Sequence, residues 1–128
     1  MIEYRQINRD GKIYYGKHYM ANMKCCVNFD SATMIKAIIE ELVEKIGMEP
    51  LGPPHIHLID NRDHYELSGI TAVQIITTSH ISIHTYIESG DIYFDLFSCK
   101  DYDHEAIDRF LIKKFMPAKI ESNFIMRG

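Results

Sequence analysis

The chain has 128 residues, of which 46% are hydrophobic and 25% charged, and its 14 basic and 18 acidic side chains leave a net charge of -4. That length suits one domain with one core, and the composition excludes disorder and low-complexity character. The scattered charges lack the basic footprint of a nucleic-acid binder, and no apolar run is long enough for a membrane span or a signal peptide, so a soluble, cytoplasmic protein is expected.

Residues 17–26 (KHYMANMKCC) alternate loosely and predict a first strand. Asp30 or Ser31 offers an N-cap, after which Ile35, Ile38, Ile39, Leu42, Val43 and Ile46 recur at helical spacing until Gly47 stops the helix. Pro50, Gly52, Pro53 and Pro54 mark a turn before a strand over 55–60, and the polar run 61–69 (NRDHYELSG) reads as a loop. Three β-prone runs follow at 69–77 (GITAVQIIT), 79–86 and 92–98, the last two joined by a hairpin connection over 87–91. Asp103 caps a second helix with Ile107, Phe110, Leu111 and Phe115 on one face, Pro117 ends it, and 118–127 closes the chain as a strand.

Strands and helices do not alternate regularly in this order, which disfavours a doubly wound parallel sheet. The expected fold class is α+β: a two-layer α/β sandwich with a mainly antiparallel sheet and two helices on one face. The three cysteines, Cys25, Cys26 and Cys99, are neither an even-numbered disulfide framework nor a C-x-x-C pair, so reduced thiols are expected.

The chemistry concentrates in 78–99, TSHISIHTYIESGDIYFDLFSC. A strand carrying Ser79, His80, His84, Glu88 and, one strand later, Cys99 has more reactive groups than a structural strand needs. Taken singly, each has a plain structural role: a serine at a turn, a cysteine as a small buried hydrophobe. His80 reads as structural. His55 and His57 share a strand face, but two ligands do not make a metal site, and no metal is expected.

As a set, Ser79-His80, then His84-Thr85-Tyr86 with Glu88, then Asp95 to Cys99 in DLFSC resemble the bacterial and archaeal S-adenosylmethionine decarboxylases, small pyruvoyl-dependent enzymes. Gly16-Lys17-His18 is similar to the family's early Gly-x-His strand. The resemblance covers nearly the whole chain, as one domain over 1–128 with self-cleavage between Thr78 and Ser79. It implies that the Ser79 hydroxyl attacks the Thr78 carbonyl and converts the amide to an ester. His84 then removes the α-proton so that the ester is eliminated, and hydrolysis leaves a pyruvoyl group at position 79. That group forms a Schiff base with the substrate amine and is the electron sink that decarboxylation requires, with no external cofactor.

By the same resemblance Cys99 is the proton donor to the substrate carbon, and Thr71 assists processing. Glu88 accepts hydrogen bonds from the ribose hydroxyls, while Tyr65 and Tyr86 offer aromatic faces to the purine and the sulfonium. The implied substrate is S-adenosylmethionine, the implied product the aminopropyl donor for spermidine, and the implied assembly a homodimer with each active site at or near the subunit interface. Thr78 and Ile87 stand where the family usually has Glu and Pro. Two alternatives remain: the same chemistry on arginine or ornithine, and an unprocessed homologue that binds a nucleoside or regulates a partner.

Parity adds one geometric expectation. Ser79 and His84 are five positions apart and so face opposite sides of a straight strand. An irregular backbone between 77 and 80 is expected, with Thr78 and Ser79 outside regular ladder pairing.

Overall fold

The computed structural model describes residues 7–128. It opens with a hairpin that periodicity does not reveal: β1 (Ile7–Arg9) pairs antiparallel with β2 (Lys12–Tyr14). Asp10 and Gly11 turn it, both with positive φ (53° and 78°), which is the Asp-Gly signature of a type I′ hairpin. Strands of three residues are too short to show alternation, so the turn dipeptide is the only local signal. Ile7 is buried, and the Arg9 guanidinium donates twice to Asp101 at 3.0 and 2.9 Å.

The remaining strands form one antiparallel sheet in the order β4-β5-β6-β7-β3-β8. They are β3 (Gly16–Lys24), β4 (His55–Ile59), β5 (Gly69–Ile76), β6 (Ser79–Tyr86), β7 (Asp91–Ser98) and β8 (Lys119–Arg127). The expected strands are all present with ends within two residues of those expected, β3 and β7 each beginning one residue earlier and β6 unchanged, and the loop over 61–69 contains a single 3-10 turn, Tyr65–Leu67. In β3, β5, β6 and β7 alternate residues are buried, as a sheet covered on one face demands.

Helices α1 (Ala32–Lys45) and α2 (His104–Phe115) cover that face. Of the two candidate caps of α1 the structure uses Ser31, whose Oγ accepts from the Met34 amide at 3.2 Å; Asp103 caps α2 by accepting from Glu105. Ile35, Ile38, Ile39, Leu42 and Val43 from α1 and Ile107, Phe110, Leu111 and Phe115 from α2 join Tyr19, Ala72, Ile81, Ile83, Phe94 and Leu96 of the sheet in one core. The expected α+β sandwich with both helices on one face is therefore the observed architecture.

The opposite face has no layer over it among the described residues. Across it run rungs such as Thr71–His84–Tyr93–Asn22 and Ile75–His80–Phe97–His18. It mixes apolar and polar groups, including exposed Ile75 and Ile125 and a His18 ring nitrogen 3.0 Å from Asp95. No helix among the described residues is long and apolar enough to cross a membrane.

Candidate functional site

The β5–β6 hairpin turns on Thr77 and Thr78. Ile76 and Ser79 form its last paired rung, and Thr78 has φ 55°, in the left-handed region. The backbone is irregular between 77 and 80, with a difference from expectation: Thr78 lies outside the ladder, whereas Ser79 is its first rung. Antiparallel pairing of β6 with β7 sets His80 against Phe97, which brings the first residue of β6 beside the end of β7.

Ser79 and Cys99 meet there, each only 6% exposed. The Cys99 amide donates to Ser79 Oγ at 3.2 Å, Cys99 Sγ lies 3.6 Å from that oxygen, and Thr78 Oγ1 lies 2.7 Å from the same sulfur. The backbone beyond Cys99 is held firmly. Ser98 Oγ donates to Lys100 O and accepts from the Lys100 amide, while the Tyr102 hydroxyl donates to the carbonyls of Lys17 or Leu96. Lys17 is fully buried, donating to Tyr102 O at 2.8 Å and lying over the Tyr102 and Phe124 rings. Burial pushes its pKa below the ordinary lysine value, with Asp101 at 3.7 Å opposing part of the shift.

His84 and Thr71 form a second cluster. They face each other across β5 and β6, Thr71 Oγ1 to His84 Nδ1 at 3.2 Å, on the uncovered face. The expected processing pair is thus brought together, but away from Ser79. His84 is about 16 Å further along β6 and on the other side of the sheet. His80 lies on the uncovered face too, its ring tilted 31° against Phe97 with centroids 6.0 Å apart.

The third cluster is at the far end of β6. Tyr86, Glu88, Glu66, Ser89, Asp91 and Tyr93 line an open depression of about 590 Å³. Tyr86 and Tyr93 pack edge to face with centroids 5.7 Å apart, and Lys24 Nζ donates to the Tyr93 hydroxyl at 2.9 Å and to Asp91 at 3.3 Å. Those two bonds hold the Lys24 ammonium above its ordinary pKa. Tyr65 is exposed in the 3-10 turn beside Glu66. Tyr93, Glu66 and Asp91 escape a reading of local spacing; Tyr93 becomes visible only through its rung opposite His84. From Ser79 to Tyr86 the strand advances about 23 Å.

A profile of the family described as S-adenosylmethionine decarboxylase matches residues 17–128. The chain belongs to the S-adenosylmethionine decarboxylase family. It is 31% identical over 122 residues to the S-adenosylmethionine decarboxylase proenzyme of Pyrobaculum arsenaticum, covering 87% of this chain and 86% of that one. With the proenzyme of Methanococcus maripaludis the identity is 32% over 119 residues, 88% of this chain and 89% of the other. In fold it is similar to the crystal structure of the adenosylmethionine decarboxylase from Aquifex aeolicus, with TM-score 0.75 at 24% identity, covering 90% and 92% of the two chains. The family match begins at the third strand, so the β1–β2 hairpin lies outside it.

The family's relatives are named as proenzymes, and pyruvoyl-dependent catalysis is what that name implies in general. Ser79 fits the origin of such a group. Its Oγ is buried, held by one amide, next to a thiol and immediately after a residue in a sparsely populated conformation.

Proposed function

We propose that this chain is a self-processing, pyruvoyl-dependent decarboxylase of S-adenosylmethionine that works as a cytoplasmic homodimer and supplies the aminopropyl donor for spermidine synthesis. The observation that carries the reading is the junction of Ser79 with Cys99 at the Thr77-Thr78 turn, in a chain of this family. In processing, Ser79 Oγ bonds to the Thr78 carbonyl carbon as the Thr78–Ser79 amide breaks, giving an ester. A base takes the α-proton of residue 79, the Thr78 carboxylate leaves, and water replaces the nitrogen, which departs as ammonia. The resulting pyruvoyl group supplies the electron sink for decarboxylation. Cys99 holds the proton for the substrate carbon, an assignment supported by the 3.6 Å between Sγ and Ser79 Oγ.

Substrate recognition belongs to the depression at the end of β6. Glu88 offers two acceptor oxygens to the ribose diol, and Tyr86 and Tyr65 offer aromatic faces to the purine and the sulfonium. The carboxylates of Glu66, Glu88 and Asp91 suit a positively charged substrate. That depression and the Thr71–His84 pair are too far from Ser79 in one chain to share one small molecule with it. The uncovered sheet face, which carries His84, Thr71, Tyr86 and Tyr93, supports pairing with a second copy. Each active site then takes Ser79 and Cys99 from one protomer and Thr71, His84, Tyr86 and Glu88 from its partner.

Mass spectrometry under denaturing conditions tests the first part: two pieces divided between 78 and 79, the second with the mass of a pyruvoyl terminus, are expected. Co-expression of Ser79→Ala with His84→Ala tests the second. If His84 acts across the interface, the His84→Ala chain is cleaved in the mixed dimer although neither variant is cleaved alone. Absence of any split in the native chain refutes self-processing, and absence of rescue refutes the shared site.

A further inference from the structure

Thr78 is the residue before the scissile bond, and it combines two features that rarely coincide. Its φ of 55° is a conformation that β-branched residues avoid, in a two-residue connection where Asn or Gly is the usual choice. Its hydroxyl also makes two short contacts. Oγ1 donates to the Thr77 carbonyl at 2.7 Å and lies 2.7 Å from Cys99 Sγ. A hydroxyl has one proton, so with that proton on Thr77 the thiol is the donor in the second contact. The bridge therefore runs from Cys99 S–H to Thr78 Oγ1–H to Thr77 C=O.

Cys99 grips the other side of the same peptide bond as well, its amide donating to Ser79 Oγ at 3.2 Å. The thiol thus touches Thr78, the amide touches Ser79, and the 78–79 peptide lies between. We propose that the Thr78 hydroxyl is a positioning group for self-cleavage: bridged between the Thr77 carbonyl and the Cys99 thiol, it holds the scissile peptide against Ser79 Oγ and keeps Cys99 engaged until the bond breaks. This rests on the self-processing reading above. Cleavage makes Thr78 a chain terminus no longer tethered to residue 79, which releases the thiol from its contact on the same event that creates the site it serves.

The test compares cleavage time courses, by intact mass, for the native chain, Thr78→Val and Thr78→Ser. Valine keeps the branched Cβ and hence the backbone strain while deleting the hydroxyl; serine keeps the hydroxyl. The expected result is cleavage about tenfold slower for Thr78→Val, equivalent to ~1.4 kcal/mol in the barrier, and near-native cleavage for Thr78→Ser. A second measurement uses the uncleaved Ser79→Ala background. There Thr78→Val is expected to raise the rate of Cys99 alkylation by iodoacetamide several-fold, followed on the Cys99 peptide so that Cys25 and Cys26 do not interfere. Native-rate cleavage of Thr78→Val, or unchanged alkylation, overturns the bridge while leaving self-processing intact. A native chain that never splits overturns self-processing, and with it the cleavage role of Thr78.

Discussion

Replacing Gly69 by alanine probes how tightly β5 and β6 are joined at the end that carries Tyr86 and Glu88. A Cβ at Gly69 falls 1.7 Å from the Thr85 carbonyl oxygen, 2.7 Å from its carbon and 3.2 Å from Tyr86 Cα. All three are backbone atoms, so no side-chain rotation relieves the overlap, and reaching ordinary contact requires the strands to part by about 1.7 Å. Two hydrogen bonds span this end and are the first to stretch: Ile70 N to Thr85 Oγ1 at 3.0 Å and Ile87 N to Ser68 O at 2.9 Å. Overpacking of ~1–3 kcal/mol with ~1 kcal/mol for a lost hydrogen bond gives a destabilisation of ~2–4 kcal/mol. In urea, with a slope of ~2 kcal/mol per molar, the unfolding midpoint is expected to fall by roughly 1–2 M. Amide exchange should quicken at Ile70 and Ile87 and change little at Ile76, at the other end of the hairpin. An unchanged midpoint with unchanged exchange at both amides would refute the close approach of the two strands at Gly69.

Glu88→Gln is expected to cleave itself normally yet lose roughly ten- to a hundredfold in kcat/KM, from a charged hydrogen bond worth ~1.5–3 kcal/mol; steady-state carbon dioxide release checks it. Lys17 makes a pH-dependent prediction. Its folded pKa lies below the ordinary 10.5, mainly through burial, so between that lowered value and 10.5 the unfolded chain binds more protons than the folded one. Stability of the native chain relative to Lys17→Met should therefore rise with pH across that window, measured by thermal unfolding at matched pH values. Arg9→Ala removes an exposed pair with Asp101, so its cost should stay below ~1 kcal/mol in a melting experiment. Ser79→Ala should remain a single full-length chain by mass.

Local pattern was enough for the elements that have room to show one. The stripe from Ile35 to Ile46 marks α1 and the alternation through 79–86 marks β6, because each repeats over more than two periods. The β1–β2 hairpin had no such length, and its single clue was Asp10-Gly11. Parity along β6 likewise separates Ser79 from His84, since side chains of a strand alternate whatever its partners.

The partners themselves are another matter. Whether Cys99 reaches Ser79, whether Tyr93 stands beside Tyr86, and whether Thr78 holds the thiol depend on the β6–β7 register and on the turn at 77–78, and a one-residue slip would exchange every face. The sequence by itself determined both helices and the longer strands of the main sheet, because these are written in local spacing, and its motifs carried the reactive residue types and the resemblance to the family. Only the tertiary structure decided that these residues fall into separate clusters on two faces of one sheet, because antiparallel pairing joins positions far apart in the chain by geometry that no local pattern contains.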